Sequence, residues 1–351
     1  MGLPSFSDAK WSELAPQFGL HNNVALLQLP TFVTPVYLLP PTFHVANFTP
    51  AWPTLDVYRD IDQQTREEAR VRILDPYIVP ILALFQGRIV DMPMMESQYS
   101  SGGDVEHEII MVGGILFFVI QLKHLDSGGN NLAQLFLKLL SAAAENGTLD
   151  FTNLRVYGLL TDLTKFEFYS YDPLEKQFSL DEEFSLETRR NHYCFGMIHV
   201  TNKIFSVVMH GYVRGLEAIV LKREKTMPPG SSEQMQRLAS TSRLSTPMGS
   251  IHTGVRREST SKWEHALRLA NDCLDVFQRP FENNEDIEKN GKEALELLAQ
   301  SVYAIPRFTK FTGSDNDAIS EQLSALALEL VARWHEKKLQ RPLERPLYPY
   351  P

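Results

Sequence analysis

Residues 103–123 read Gly103-Asp-Val-Glu-His-Glu-Ile-Ile-Met-Val-Gly-Gly-Ile-Leu-Phe-Phe-Val-Ile-Gln-Leu-Lys123, and the reading of this stretch decides the fold. Gly113-Gly114 between two apolar runs is a hairpin signal, because both central positions of a type I′ turn need positive φ. Pairing Val112 with Ile115 sets Glu106 opposite Gln121, Asp104 opposite Lys123 and Glu108 opposite Val119. Paired residues share a face and strands alternate with period two, so these acids, the amide and the ammonium gather on one side of the sheet.

Alternating acids alone describe a solvated strand face. The partner strand changes that reading. Ile115 to Leu122 is almost continuously apolar, as in a strand covered on both faces, yet it carries Gln121 and is followed by Lys123. An amide and an ammonium at the end of a buried strand need partners or a ligand. Among the three acids, Glu106 lies across the ladder from Gln121 and is the first choice. Asp104, facing Lys123, is the second and Glu108 the third. His107 alternates to the other face and reads as packing or surface.

Working outward, a helix carries Glu67-Glu68 and continues through Ala69–Phe85, with kinks expected at Pro76 and Pro80 and a stop at Gly87. A strand is expected around 88–95, before the hairpin. After it come the helix Asn131-Leu-Ala-Gln134-Leu-Phe-Leu-Lys-Leu-Leu and a second hairpin, Val156–Asp162 with Lys165–Asp172. This order of helix, strand, acid-bearing strand, strand ending in Gln-x-Lys and helix with an inward glutamine resembles the PD-(D/E)XK nuclease superfamily. The likeness covers roughly residues 60–175. It is strongest to nuclease-like domains of fungal proteins, in which a Tyr-Gly-Leu-Leu-Thr-Asp strand often follows the glutamine helix.

The resemblance implies an α/β fold with a restriction-endonuclease-like αβββαβ core and a mixed sheet. It implies a Mg2+ (or Mn2+) site on Asp104, Glu106 and Gln121, and catalytic roles for Glu106, Gln121, Lys123 and Gln134. Magnesium keeps several waters and binds through one or two carboxylates, which suits hydrolysis of a phosphodiester. Lys123 is expected to orient water or neutralise developing charge, and Gln134 to support the site from behind. Glu67 or Glu68 is a further candidate ligand, although acids at a helix start also serve the helix dipole. One position departs from the family pattern. Gln121 stands where an acid is usual, as in the Q-x-K branch of the superfamily, and a neutral amide oxygen holds a hard cation less well than a carboxylate. The expected function is therefore a metal-dependent nuclease acting on nucleic acid, with a catalytically inactive nuclease-fold interaction or regulatory module as the alternative.

The rest of the chain divides by composition. Residues 1–55, rich in Pro and aromatics, read as an extended N-terminal arm, and 56–225 as the core domain. Residues 226–260, dense in Ser, Thr, Pro and Gly, read as a disordered linker. Residues 261–340 have helix-period apolar faces and read as a helical subdomain, and 341–351 as a proline-rich tail. The C-terminal helices are expected to dock on the core domain or on another copy, and are the expected surface for a second copy or a protein partner.

With 43% hydrophobic and 22% charged residues, the 351-residue chain has a globular composition. Cys194 and Cys273 are far apart and form no metal-ligand spacing, which fits a reducing compartment. No secretory signal or membrane-length apolar run is evident, so an intracellular, cytoplasmic or nuclear protein without a membrane partner is expected. A net charge of −9 opposes simple polyphosphate binding. Lys123, Lys138, Arg189, Arg190, Lys203 and Arg214 are the candidates for a local basic cluster that would offset it.

Overall fold

The computed structural model describes residues 6–58, 61, 67–92, 107–122, 129–225, 251–306, 328, 329, 331 and 333, with the side chains of 67, 68 and 251–261 not described. Among the described residues there are six strands, β1 (Ile89–Asp91), β2 (His107–Met111), β3 (Ile115–Leu122), β4 (Val156–Thr161), β5 (Lys165–Asp172) and β6 (Gln177–Ser185). They form one mixed sheet in chain order. Every neighbouring pair is antiparallel except β3 and β4, which are parallel. The described helices are α1 (Trp11–Leu14), α2 (Pro41–Tyr58), α3 (Glu67–Ala83), α4 (Asn130–Thr148), α5 (Arg190–Lys225), α6 (Ile251–Phe277) and α7 (Asn284–Ala304). The protein is thus α/β, and α4 is the crossover that a parallel β3–β4 pair requires.

Two apolar cores flank the sheet. On one side α4 and the N-terminal segment pack Phe6, Trp11, Leu135, Phe136 and Leu139 against Leu116, Val119 and Leu160. On the other, α3 and α5 pack Leu74, Ile78, Ile204, Val208 and Tyr212 against Phe118, Ile120 and Leu159. Every residue of β3 is buried, which is why its sequence lacks the alternation of a half-exposed strand.

The hairpin expected at Gly113-Gly114 forms, and both glycines have positive φ, 104° and 81°. Its register differs at the turn. Met111, not Val112, faces Ile115, and a bulge at Phe117 then restores the pairing that puts Glu108 opposite Val119 and His107 opposite Ile120. The extra residue turns Phe117 and Phe118 both toward the α5 core. At this irregular point the Asn146 side chain, at the end of α4, accepts from Leu116 N at 2.9 Å and donates to Leu116 O at 2.6 Å. A carboxamide here stands in for a missing neighbouring strand.

The edges of the expected elements shift more than their identities. The second hairpin appears as β4 and β5, and its turn is held by Asp162 Oδ1, which accepts from Thr164 N and Lys165 N, both at 2.8 Å. Helix α5 begins at Arg190, and β6 was not expected. Residues 41–55 of the expected extended arm belong to helix α2, despite Pro50 and Pro53 within it. Helix α6 begins at Ile251, so residues 251–260 of the expected linker are helical, while 226–250 lies outside the described residues. Of the two arrangements expected for the C-terminal helices, α6 and α7 adopt docking on the core. They pack with α5 and belong to the same compact unit, which extends to Phe308. Residues 309–351 form a second unit, whose four described residues are helical.

One expectation about apolar runs is corrected. α5 is long and apolar enough to cross a membrane, and most of its apolar stretch is buried inside the protein. Burial on the sheet face accounts for this composition.

Candidate functional site

Gln121 sits at the C-terminal end of β3, fully buried, on the face covered by α4. The α4 helix begins after Gly129, whose φ is 75° and whose missing side chain leaves room for Val24. Because α4 runs back over the parallel pair, its first turns lie over the end of β3. Gln121 Nε2 donates to Gln134 Oε1 at 3.2 Å and to the Asn131 carbonyl at 3.4 Å. Gln134 Nε2 in turn donates to the Ser7 carbonyl at 3.2 Å. Gln121 Oε1 is buried and has no hydrogen-bond partner.

Glu108 is buried and pairs with Val119, so it shares the α4 face with Gln121, two residues further from the strand end. Lys138 lies one helical turn beyond Gln134 and is equally buried, with its ammonium 5.9 Å from the centre of the Phe6 ring. A buried acid, amide and ammonium thus occupy the interface between β2, β3 and α4. The spacing of Gln134 and Lys138, four residues, was the sequence signal that could have joined Lys138 to the site. Nothing local in the sequence marked Ser7 or Asn131, because both act through backbone carbonyls.

Of the residues expected to act, Gln121 and Gln134 are brought together. Asp104, Glu106 and Lys123 lie outside the described residues, as do the side chains of Glu67 and Glu68. Among the described residues no three His, Cys, Asp or Glu side chains gather as a metal cluster.

Four of the described candidates for a basic cluster, Lys138, Arg190, Lys203 and Arg214, do not gather together. Lys203 is fully buried and donates to Asp181 Oδ1 at 2.5 Å and to the Thr34 carbonyl at 3.1 Å. Arg190 pairs with Asp56 at 2.6 Å and stacks on Trp52, and Arg214 pairs with Glu217 at 2.8 Å. These three stand on α5, across the sheet from Lys138 on α4. Periodicity could not separate a buried paired lysine from a surface one.

His107 faces the other core, as the alternation requires, and is buried. Its Nδ1 meets Asp91 Oδ2 at 2.5 Å, while its Nε2 lies 3.7 Å from Asp75 Oδ1. Burial raises the pKa of Asp75, with the His107 charge opposing and Asp91 reinforcing the shift. This cluster ties α3 to β1 and β2. Cys194 and Cys273 are both buried and unpaired by any disulfide.

The groove beside Gln121 is lined by Ser7, Lys10, Glu13, Asn130, Asn131 and Gln134, so the N-terminal segment forms one of its walls. Comparison of the chain with protein-family models, with curated proteins and with solved structures finds no match in any of the three.

Proposed function

We propose that this protein is a nuclease-fold phosphodiesterase whose Gln121 end of the sheet holds a divalent cation and acts on nucleic acid. The observation that carries the reading is the unpartnered, buried Oε1 of Gln121. A buried amide oxygen without a donor costs about 1–3 kcal/mol, an expense that a ligand at that oxygen removes. The element order α3-β1-β2-β3-α4-β4 and the meeting of Gln121 with Gln134 support the same reading, since both belong to the αβββαβ resemblance.

The donor set fits a hard cation. It would comprise Gln121 Oε1 with the carboxylates of Asp104 and Glu106, all oxygen ligands. When bound, Mg2+ or Mn2+ supplies Lewis acidity at the phosphate and lowers the pKa of coordinated water. The chain's own groups have separate tasks. Gln134 holds the Gln121 amide in place, and Lys123 places a positive charge two residues beyond Gln121 for the phosphate or the attacking water.

The test is cleavage of single-stranded DNA, duplex DNA and RNA in Mg2+ or Mn2+ by the intact chain, by Glu106→Ala and by Lys123→Ala. Metal-dependent cleavage by the parent and at least a hundredfold loss in both folded variants is expected, on the order of the effect of losing one transition-state donor. A second reading, a nuclease fold that binds a partner without cleaving, is favoured by the complete burial of Gln121 and the neutral amide there. Inactivity of the parent on all three substrates would decide for it.

A further inference from the structure

The two ends of the Gln121 carboxamide differ in kind, an oxygen that can hold a cation and an NH2 that repels one. They have almost the same shape, so packing alone does not choose between the two orientations. A chain of hydrogen bonds does, and it starts at Ser7. The Ser7 carbonyl can only accept, so the end of Gln134 that meets it at 3.2 Å is Nε2. Gln134 therefore turns Oε1 toward Gln121, and Gln121 must answer with its own Nε2 at 3.2 Å. The Asn131 carbonyl at 3.4 Å demands the same end. What remains of Gln121 is Oε1, fully buried and without a partner.

We infer that the N-terminal segment at Ser7 is an orientation lock, which acts through Gln134 to hold Gln121 oxygen-first for a cation. The inference rests on the cation-site reading above. Gln134 and the Ser7 backbone are then positioning groups and not ligands. The Phe6–Lys10 stretch is well placed for this, because Phe6 and Trp11 are anchored in the α4 core and the Trp11 amide donates to Asn130 Oδ1 at 3.2 Å. The lock also has a chemical logic. A carboxylate at position 121 would offer two equivalent oxygens and need no orientation, whereas an amide binds through one end only.

That difference supplies the test. Mn2+ affinity is measured by calorimetry on the intact chain, Gln134→Leu, Gln121→Glu and the double variant, with thermal unfolding in chelator as the check on folding. Gln134→Leu should weaken Mn2+ binding about tenfold, the lower end of what losing a ligand's supporting partner costs. In the Gln121→Glu background the same change should not weaken binding, because either carboxylate oxygen can take the cation and the change removes the Gln134 oxygen that would face the other. Gln134→Ala repeats the comparison if the leucine variant does not fold. An equal loss in both backgrounds, or no loss in either, overturns the lock. Binding by Gln121→Glu alone also overturns it, since the native oxygen would then hold no cation. Absence of Mn2+ binding by both the parent and Gln121→Glu overturns the cation site itself, a result separable from failure of the lock.

Discussion

Single residues here show how strongly burial changes the meaning of a charge. Lys203 and Asp181 are both fully enclosed, and Asp181 Oδ1 also accepts from Thr34 N at 3.1 Å, so the pair fastens the N-terminal segment to β6 and α5. Removing one partner of such a pair leaves an uncompensated charge. Lys203→Met is therefore expected to destabilise the fold by about 3–5 kcal/mol in denaturant titration, and Lys203→Met with Asp181→Leu by clearly less. His210 gives a second, pH-dependent case. Burial, followed by the nearby Arg214 charge, lowers its pKa from 6.5 to about 4. The unfolded chain then takes up this proton at higher pH than the native one, so the stability is present above 6.5 and is lost as pH falls through that value toward about 4. Urea midpoints of the parent and His210→Gln should converge over that window, by about 3 kcal/mol in the parent's relative stability.

At the scale of elements, the β2–β3 hairpin and α5 are fitted to each other through small residues. A side chain at Gly211 would overlap the Phe117 ring, and one at Gly215 would lie 2.5 Å from Met111 Sδ. The bulge that turns Phe117 toward α5 and the glycine that admits its ring are thus one feature seen from two elements. Gly211→Ala sets two effects against each other. Alanine favours a helix over glycine by about 1 kcal/mol, whereas overpacking a core costs about 1–3 kcal/mol. The rigid aromatic ring makes overpacking the larger effect, and a net loss in thermal stability is expected. Gly215→Ala should cost less, because the methionine side chain can move. If both variants are as stable as the parent, the close approach of α5 to the sheet is not tight in solution.

For the whole molecule, the C-terminal helices complete the core instead of decorating it. Tyr212 OH on α5 meets Ser301 Oγ on α7 at 3.0 Å, and Arg88 Nε donates to the Ile305 carbonyl at 3.1 Å. Trp263, Ala266, Cys273 and Leu298 belong to the same apolar cluster as the sheet. A chain ending at residue 225 would expose that cluster. It is expected to lack a cooperative thermal transition, while one ending at 308 should unfold in a single step, as read by circular dichroism and calorimetry. An independently folded 1–225 fragment would contradict the single core. The net charge of −9 acts at this scale too. Lys203, Arg190 and Arg214 are already paired and Lys138 stands across the sheet from them, so these residues offer no joint basic surface and the proposed contact with a polyanion relies on the local cation.

How much of this was legible beforehand follows from the range of the interactions. The Gly113-Gly114 turn, the continuous apolar run of β3, the glutamine on α4 and the Val156–Asp172 hairpin are set by local backbone freedom and by hydrophobic period, and the sequence carried them. Helix α2 with its two internal prolines, the bulge at Phe117 and the membership of α6 and α7 in the main core were decided by packing between segments far apart in the chain. So was the site's orientation. Gln121 and Gln134 could be named from sequence, but the unpartnered Oε1 depends on the carbonyl of Ser7, 127 positions before Gln134. A backbone carbonyl is the same chemical group at every residue, and only its place in the folded chain makes one of them specific.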